Sequence, residues 1–248
     1  MKASMLSRFS RYLSVATLVV LTACSTVRSP SPADPFEGFN RSVDAFNQQL
    51  DTYAVRPAAR AYVAVVPEVV RMGVSNFFGN IGDVLVGLNN LLQGKPASAA
   101  SDFGRFAINT TIGVVGLFDV ATDMGLRKNN EDFGQTLGRW GLPAGPYLVL
   151  PFFGPSSVRD AGGFLVDINL DPTVSIDDPA TRNSVAGLRI INRRADLLEL
   201  TDSVEGVALD AYSFVRDAYL ANRRNRVYDG DPPPEKFIDE SAEPEPQK

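Results

Sequence analysis

At 248 residues the chain is long enough for one domain with a substantial core, and its net charge of −5 comes without a single histidine. The missing imidazole removes Ser-His-Asp and Cys-His nucleophile activation and every His-based zinc or iron centre, so neither cofactor nor metal is expected. The acidic balance gives no electrostatic reason for a nucleic-acid partner. G-x-S-x-G, H-E-x-x-H and Walker A patterns are absent, and the nearest approach, residues 87–95, has the wrong spacing and runs into Pro96. Carboxylate-only chemistry such as glycoside hydrolysis stays open in principle, but acids scattered over polar faces and caps disfavour an enzyme.

Residues 1–23 read as a secretory signal. Lys2, Arg8 and Arg11 form a positive start, residues 13–21 a short apolar stretch, and small residues precede Cys24. The stretch is too short to span a bilayer, which takes about 20 residues. Leu21-Thr22-Ala23-Cys24 resembles the lipobox of bacterial lipoproteins, in which the thiol is acylated and the chain is cut before it. The alternative is an ordinary signal with an incidental cysteine. No second cysteine exists to pair with it, so an oxidising compartment would leave an unmodified thiol stranded. Ser25 in the next position resembles the address of outer-membrane lipoproteins. The mature chain then starts at Cys24 with a net charge of −8, since three basic residues leave with the signal. Residues 24–33 form a Ser/Pro-rich tether.

A helix is predicted from Asp34-Pro35, with Phe36, Phe39, Val43, Phe46, Leu50 and Tyr53 on one face and Asn40, Arg41, Asp44, Gln48 and Asp51 opposite. Pro57 opens a short apolar helix ending at Pro67. Pro67-Glu68 starts another, carrying Val69, Val70, Gly73, Val74, Phe77, Phe78 and Ile81. A similar stripe, Val84 to Leu92, is stopped by Gly94 and Pro96. From Ala97 the pattern runs through Phe103, Phe106 and Ile108 into the uncharged stretch 106–118. Residues 133–163 are dense in Gly and Pro and hold Trp140, Tyr147, Phe152 and Phe153. They read as an irregular excursion, with a weakly signalled β-hairpin around residues 147–150. Helices resume at Asp178-Pro179 and through the stripe Val204, Val207, Ala211, Phe214, Ala218. The latter ends in Arg223, Arg224 and Arg226, placed to complement a helix dipole. Arg159-Asp160 reads as a structural ion pair or helix start. From Asp229 onward the chain is acidic and Pro-containing, as in a disordered tail covering residues 229–248.

Periodicity alone favours a soluble helical core. Two features argue for lipid instead: acyl tethering brings the apolar faces to a membrane at little further entropic cost, and glycine recurs within apolar stretches. Each such glycine weakens a helix in water by about 1 kcal/mol relative to Ala, whereas in lipid small residues let helices approach. The fold class expected is all-α, a set of amphipathic and short helices lying in one leaflet.

The segments DPFEGFNRSVDAFNQQLDTYAVRP (34–57), VSNFFGNIGD (74–83), NNLLQGKP (89–96), RFAINTTIGVVGLFDVA (105–121) and EDFGQTLGRWGLPAGPYLVLPFFGPSSVRDAGG (131–163) resemble the MlaA (VacJ) family of outer-membrane lipoproteins over nearly all of residues 34–228. FVRDAYL (214–220) is similar too, and the chain departs from some members around residues 47–53. The resemblance implies a helical ring in the inner leaflet of the bacterial outer membrane, lipid-anchored and beside a trimeric porin. Phospholipids misplaced in the outer leaflet would pass through its central amphipathic channel to a soluble periplasmic carrier, which keeps that membrane asymmetric. On this reading Asn109, Thr110, Thr111, Gly113, Gly116 and Asp119 are candidate channel or gate residues, with capping of the next turn the alternative for Asp119. Trp140, Tyr147, Phe152 and Phe153 are candidate interface anchors. The competing functions are a scaffolding lipoprotein of a porin complex and a phospholipase-like enzyme, the latter opposed by the missing histidine and nucleophile motif.

Overall fold

A computed structural model describes residues 31–204 and 210–234. Residues 1–30, with Cys24 and the segment that resembles a lipobox, and residues 205–209 and 235–248 lie outside the described residues. The fold is helical, with one two-stranded sheet among the described residues. In chain order the elements are α1 (Glu37–Leu50), a π-helical turn (Asp51–Val55), α2 (Arg56–Val65), α3 (Glu68–Leu92), α4 (Pro96–Thr111), α5 (Val120–Asp123) and α6 (Phe133–Arg139). Strands β1 (Tyr147–Leu150) and β2 (Gly154–Ser157) follow, then α7 (Val158–Leu170), a 3-10 turn (Pro172–Ser175), α8 (Pro179–Asp196), α9 (Leu198–Val204) and α10 (Ala211–Val227).

The expected breaks fall differently in three places. Residues 37–65 run on through the π turn, where Arg56 N–H donates to Asp51 O, and this wider turn accommodates Pro57, which has no N–H to donate to the preceding turn. The two stripes 69–81 and 84–92 are one helix of 25 residues. Its end was legible: Gly94, at a φ of +76°, closes it, with Gly94 N–H donating to Leu91 O and Lys95 N–H to Asn90 O. The first residues of the acidic segment are fastened to the fold, as Gly230 N–H donates to Asn225 O and the Lys95 ammonium pairs with Asp229.

The packing is inverted relative to a soluble bundle. Asn40, on what reads as the outer polar face of α1, is 0% exposed, whereas Phe36, Phe46 and Tyr53 of the apolar stripe lie open. The same holds between α3 and α4, whose antiparallel seam is a ladder of polar rungs. Asn90 Nδ2 donates to Asp102 Oδ2 at 2.7 Å, Arg105 meets Asp83 at 3.3 Å, and Asn80 Nδ2 donates to Thr110 Oγ1 at 2.8 Å. Val69, Val70, Met72, Leu88, Leu91 and Leu92 of α3 are exposed. Among the described residues, buried polar and charged side chains outnumber buried apolar ones, and the apolar clusters are small: Ala59, Ala195 and Leu198 in one, Tyr147, Val149 and Tyr212 in another. Exposed apolar surface on this scale is uncommon in soluble monomers.

The ends of the fold are joined by charge. Arg41 of α1 binds Asp210 at 2.6 Å and lies 4.3 Å from the centre of the Tyr212 ring. Arg223 binds both Asp132 and Asp160, so it ties α10 to α6 and α7 rather than serving the helix dipole. Arg159 and Asp160 do form an ion pair, at 2.9 Å, in the first turn of α7 behind the N-cap Ser157.

The hairpin appears where the weak signal placed it, with Tyr147 opposite Ser157 and Leu150 opposite Gly154. What fixes it is α1. Asn40 Nδ2 donates to Tyr147 O and its Oδ1 accepts from Val149 N–H, at 3.0 and 2.9 Å. Two turns on, Asn47 Nδ2 donates to Leu150 O and its Oδ1 accepts from Phe152 N–H, at 3.0 and 2.8 Å. The Asn40 amide thus substitutes for a neighbouring strand, and the Asn47 amide pins the turn that follows β1. Asn40→Ala strands a buried peptide N–H and carbonyl and is expected to cost about 3 kcal/mol, against about 1 kcal/mol for the more exposed Asn47→Ala. Unfolding midpoints in detergent, followed by circular dichroism, check this order.

Candidate functional site

The loop between α4 and α5 is the most constrained segment of the chain. Val114, Val115 and Gly116 occupy the left-handed region in succession, at φ of 54°, 58° and 86°. For two β-branched residues that is strained, at about 1–3 kcal/mol each, and something must hold it. Part of the hold is the loop's own backbone: Val115 N–H donates to Thr110 O, Gly116 N–H to Asn109 O and Phe118 N–H to Gly113 O. Both glycines are obligatory for different reasons. A Cβ on Gly113 would lie 2.2 Å from Phe118 O, and one on Gly116 would lie 2.6 Å from Asn80 Nδ2 as well as strain a left-handed backbone.

The remaining hold comes from behind, through buried polar groups. Arg105 is 0% exposed and uses its whole guanidinium. Nη2 donates to both oxygens of Asp119 at 2.8 Å, Nη1 to Thr122 Oγ1 and Leu126 O at 2.9 Å, and Nε to Asp83 at 3.3 Å. Asn109 adds a second clasp, donating to Asp119 Oδ1 while accepting from Ala121 N–H, both at 2.9 Å. Asn76 Nδ2 holds Leu117 O at 3.1 Å. Burial acts against the ionised Asp119, but the hydrogen bonds from Thr122, Arg105 and Asn109 prevail and hold its carboxyl well below the usual carboxylate range. For Asp83 the balance reverses: burial outweighs Lys128 and Arg105 and pushes its carboxyl up. The outer side of the loop is apolar, with Ile112, Val114, Val115, Leu117 and Phe118 each at least 41% exposed. Backed by charge and faced with hydrocarbon, the loop is a fixed apolar projection.

Of the gate candidates, Asn109, Thr110, Gly113, Gly116 and Asp119 converge on this loop. Asp119 caps α5, accepting from Thr122 N–H, and also receives Arg105. Thr111 is exposed, and its hydroxyl donates back to Ala107 O. The aromatic candidates separate. Trp140, Phe152 and Phe153 are open to the outside, with Phe152 packed edge-on against Phe46 and Phe153 against Phe164. Tyr147 is not available as a surface anchor: it is 1% exposed, beside the rings of Tyr212 and Tyr219, because its strand position turns it into the fold. Reading the sequence missed Arg105, Asp83, Asn76 and Asn80 as the supports. The available signal was Asp83 and Arg105 set among the apolar residues of α3 and α4, where each charge demands a partner.

These segments match known proteins in order. Residues 32–226 match the model of a family described as MlaA lipoprotein. The chain belongs to the MlaA family. Its relatives include the "Intermembrane phospholipid transport system lipoprotein MlaA" of Shigella flexneri, 39% identical over 208 residues, and that of Escherichia coli (strain K12), 38% identical over 208 residues; each match covers 82% of both chains. The Haemophilus influenzae protein of the same description is 31% identical over 220 residues, covering 86% of this chain and 88% of that one. A solved structure described as "Structural basis for maintenance of bacterial outer membrane lipid asymmetry" superposes with a TM-score of 0.69 at 35% identity, covering 78% of this chain and 98% of the other. The all-α architecture with its small hairpin is thus an MlaA fold.

Removing the buried cation from this MlaA chain leaves two carboxylates facing each other, so Arg105→Ala should destabilise it by about 3–5 kcal/mol in detergent unfolding. The pH dependence has a definite sign. Because the folded carboxyl of Asp119 lies below its unfolded value of about 3.9, its contribution is complete above that value and is lost as pH falls below it. Asp119→Asn should remove that component of acid sensitivity and lower the unfolding midpoint at pH 7, measured by melting curves from pH 3 to 7.

Proposed function

We propose that this chain is a non-enzymatic lipoprotein that removes mislocalised phospholipids from the outer leaflet of the bacterial outer membrane. It sits in the periplasmic leaflet, held by acyl groups on Cys24 and by its apolar exterior. Phospholipids leave through a central amphipathic channel and are handed to a soluble periplasmic carrier, with a trimeric porin as neighbour. The loop at 112–118 gates that passage, and Trp140, Phe152 and Phe153 rest at the membrane interface.

The inverted packing carries this reading. Polar side chains satisfy one another inside, while large apolar ones face outward, as in a protein solvated by lipid tails. None of the described helices is long and apolar enough to cross a membrane, which fits a body seated in one leaflet. The relatives described as parts of an intermembrane phospholipid transport system support the same substrate class. A fixed apolar projection backed by an ion pair suits a gate, since acyl chains can slide past hydrocarbon while the clasp keeps the opening narrow.

The test reconstitutes the lipidated protein with a porin in vesicles and measures transfer of fluorescent phospholipid to the soluble carrier. Transfer is expected with wild type and should change severalfold when Gly116→Val disturbs the loop. A protein that co-purifies with the porin yet transfers nothing would make it a scaffold, and release of lyso-phospholipid would make it an enzyme. Cys24→Ser should lower its recovery in outer-membrane fractions.

A further inference from the structure

Buried arginines in this fold are matched to carboxylates: Arg105 to Asp83 and Asp119, Arg159 to Asp160, Arg223 to Asp132 and Asp160. Arg71 is different. It is half-buried in the first turn of α3, its Nε has no hydrogen-bond partner, and no carboxylate among the described residues lies within ion-pair distance of it. Beside it runs a chain of neutral groups across α2, α3 and α8. Tyr62 OH donates to Asn192 Oδ1 at 2.9 Å, Asn192 Nδ2 donates to Ser75 Oγ at 2.6 Å, and Ser75 Oγ donates to Asp196 Oδ2 at 2.8 Å. Arg71 and Ser75 are one turn apart on α3, as Asn192 and Asp196 are on α8. Tyr62, at one end of this chain of bonds, lies within electrostatic range of both Arg71 and Asp196.

Each charge is reinforced by its helix. Arg71 lies at the positive start of a 25-residue helix, and Asp196 is the last residue of α8, at the negative end. Neighbouring charges leave the pair free: Arg194 is engaged by Asp51, and Glu68 points to solvent. The same helix ends expose Val65, Val69, Val70 and Leu197, so hydrocarbon borders a polar seam with a cation at one side and an anion at the other.

We propose that this seam binds a phospholipid headgroup bearing both a phosphate and an ammonium, with Arg71 on the phosphate and Asp196 on the ammonium. This rests on the phospholipid reading above and adds a headgroup class to it. Because Nε of Arg71 is buried, phosphate meets the guanidinium end-on through its two terminal nitrogens, whereas Asp196 keeps an oxygen not used by Ser75. The seam lies across α3 from the loop at 112–118, which Gly73 and Asn76 face, so it is a station separate from the gate.

Calorimetric titration of the purified lipidated full chain in non-ionic detergent tests this, with dihexanoyl-phosphatidylethanolamine, dihexanoyl-phosphatidylglycerol and inorganic phosphate as probes. Arg71→Gln should weaken both lipids about tenfold, the worth of a charge-assisted pair. Asp196→Asn should weaken the ethanolamine lipid alone and leave the glycerol lipid unchanged or tighter. Unchanged affinities in either variant, or equal weakening of both lipids by Asp196→Asn, would overturn the assignment. Inorganic phosphate binding as tightly as the lipids would reduce the seam to a plain anion site and overturn it too. Should Arg71→Gln lose its helical signal, Asp196→Asn decides alone, being an exposed change at a helix end. Wild-type transfer to the carrier alongside binding that ignores the headgroup would sink this inference and leave the transport reading standing; absence of transfer sinks the latter.

Discussion

A guanidinium with no exposure to solvent must find an acceptor for every donor, and the geometry around Arg105 follows from that requirement. Its five N–H groups reach α3 through Asp83, the end of the 112–118 loop through Asp119, and the following turn through Thr122 and Leu126. None of these elements can shift alone without stranding a charge. The register of α3 against α4, the strained backbone of the loop and the start of α5 are therefore set together. The left-handed valines persist because their neighbours on both sides are fastened.

The same logic extends across the fold. Helices that meet through Asn, Asp, Arg and Thr are held by directional bonds, which specify one arrangement more sharply than exchangeable aliphatic contacts. Such seams remain effective when the surroundings are hydrocarbon, because lipid offers polar groups no competing partners. The outward apolar faces then need no protein cover. Ion pairs between distant parts, Arg41 with Asp210 and Arg223 with Asp132 and Asp160, bring the last helix back onto the first and middle ones.

Much of this was legible in the sequence, but not its polarity. Period and caps placed α1, the start of α3 at Pro67-Glu68, the stop at Gly94 and the start of α8 at Asp178-Pro179. Amphipathic spacing says only that a helix has two faces. Which face is inside depends on the solvent, and Asn40 reads as a surface residue until its partners Asp34, Tyr147 and Val149 are known. The constrained loop at 112–118 was legible through its glycines and Asp119. Its supports were not, because Asp83 and Arg105 lie 22 residues apart on different helices and no local pattern joins them. Tyr147 was misplaced for a related reason: aromatic content marks an interface only when the strand's alternation points the ring outward.

The amide of Asn40 has one more consequence. Together with the Ala33 carbonyl, which accepts from Tyr147 N–H, it occupies the side of β1 that faces away from β2, the row of peptide groups to which another strand would add. A chain with so much open hydrocarbon is at risk of self-association before it reaches lipid. Closing that side of the hairpin with an α1 side chain and the Ala33 carbonyl removes a template for cross-chain pairing. Since Asn40 and its partners are 107 to 109 residues apart, that protection begins only when the first helix docks.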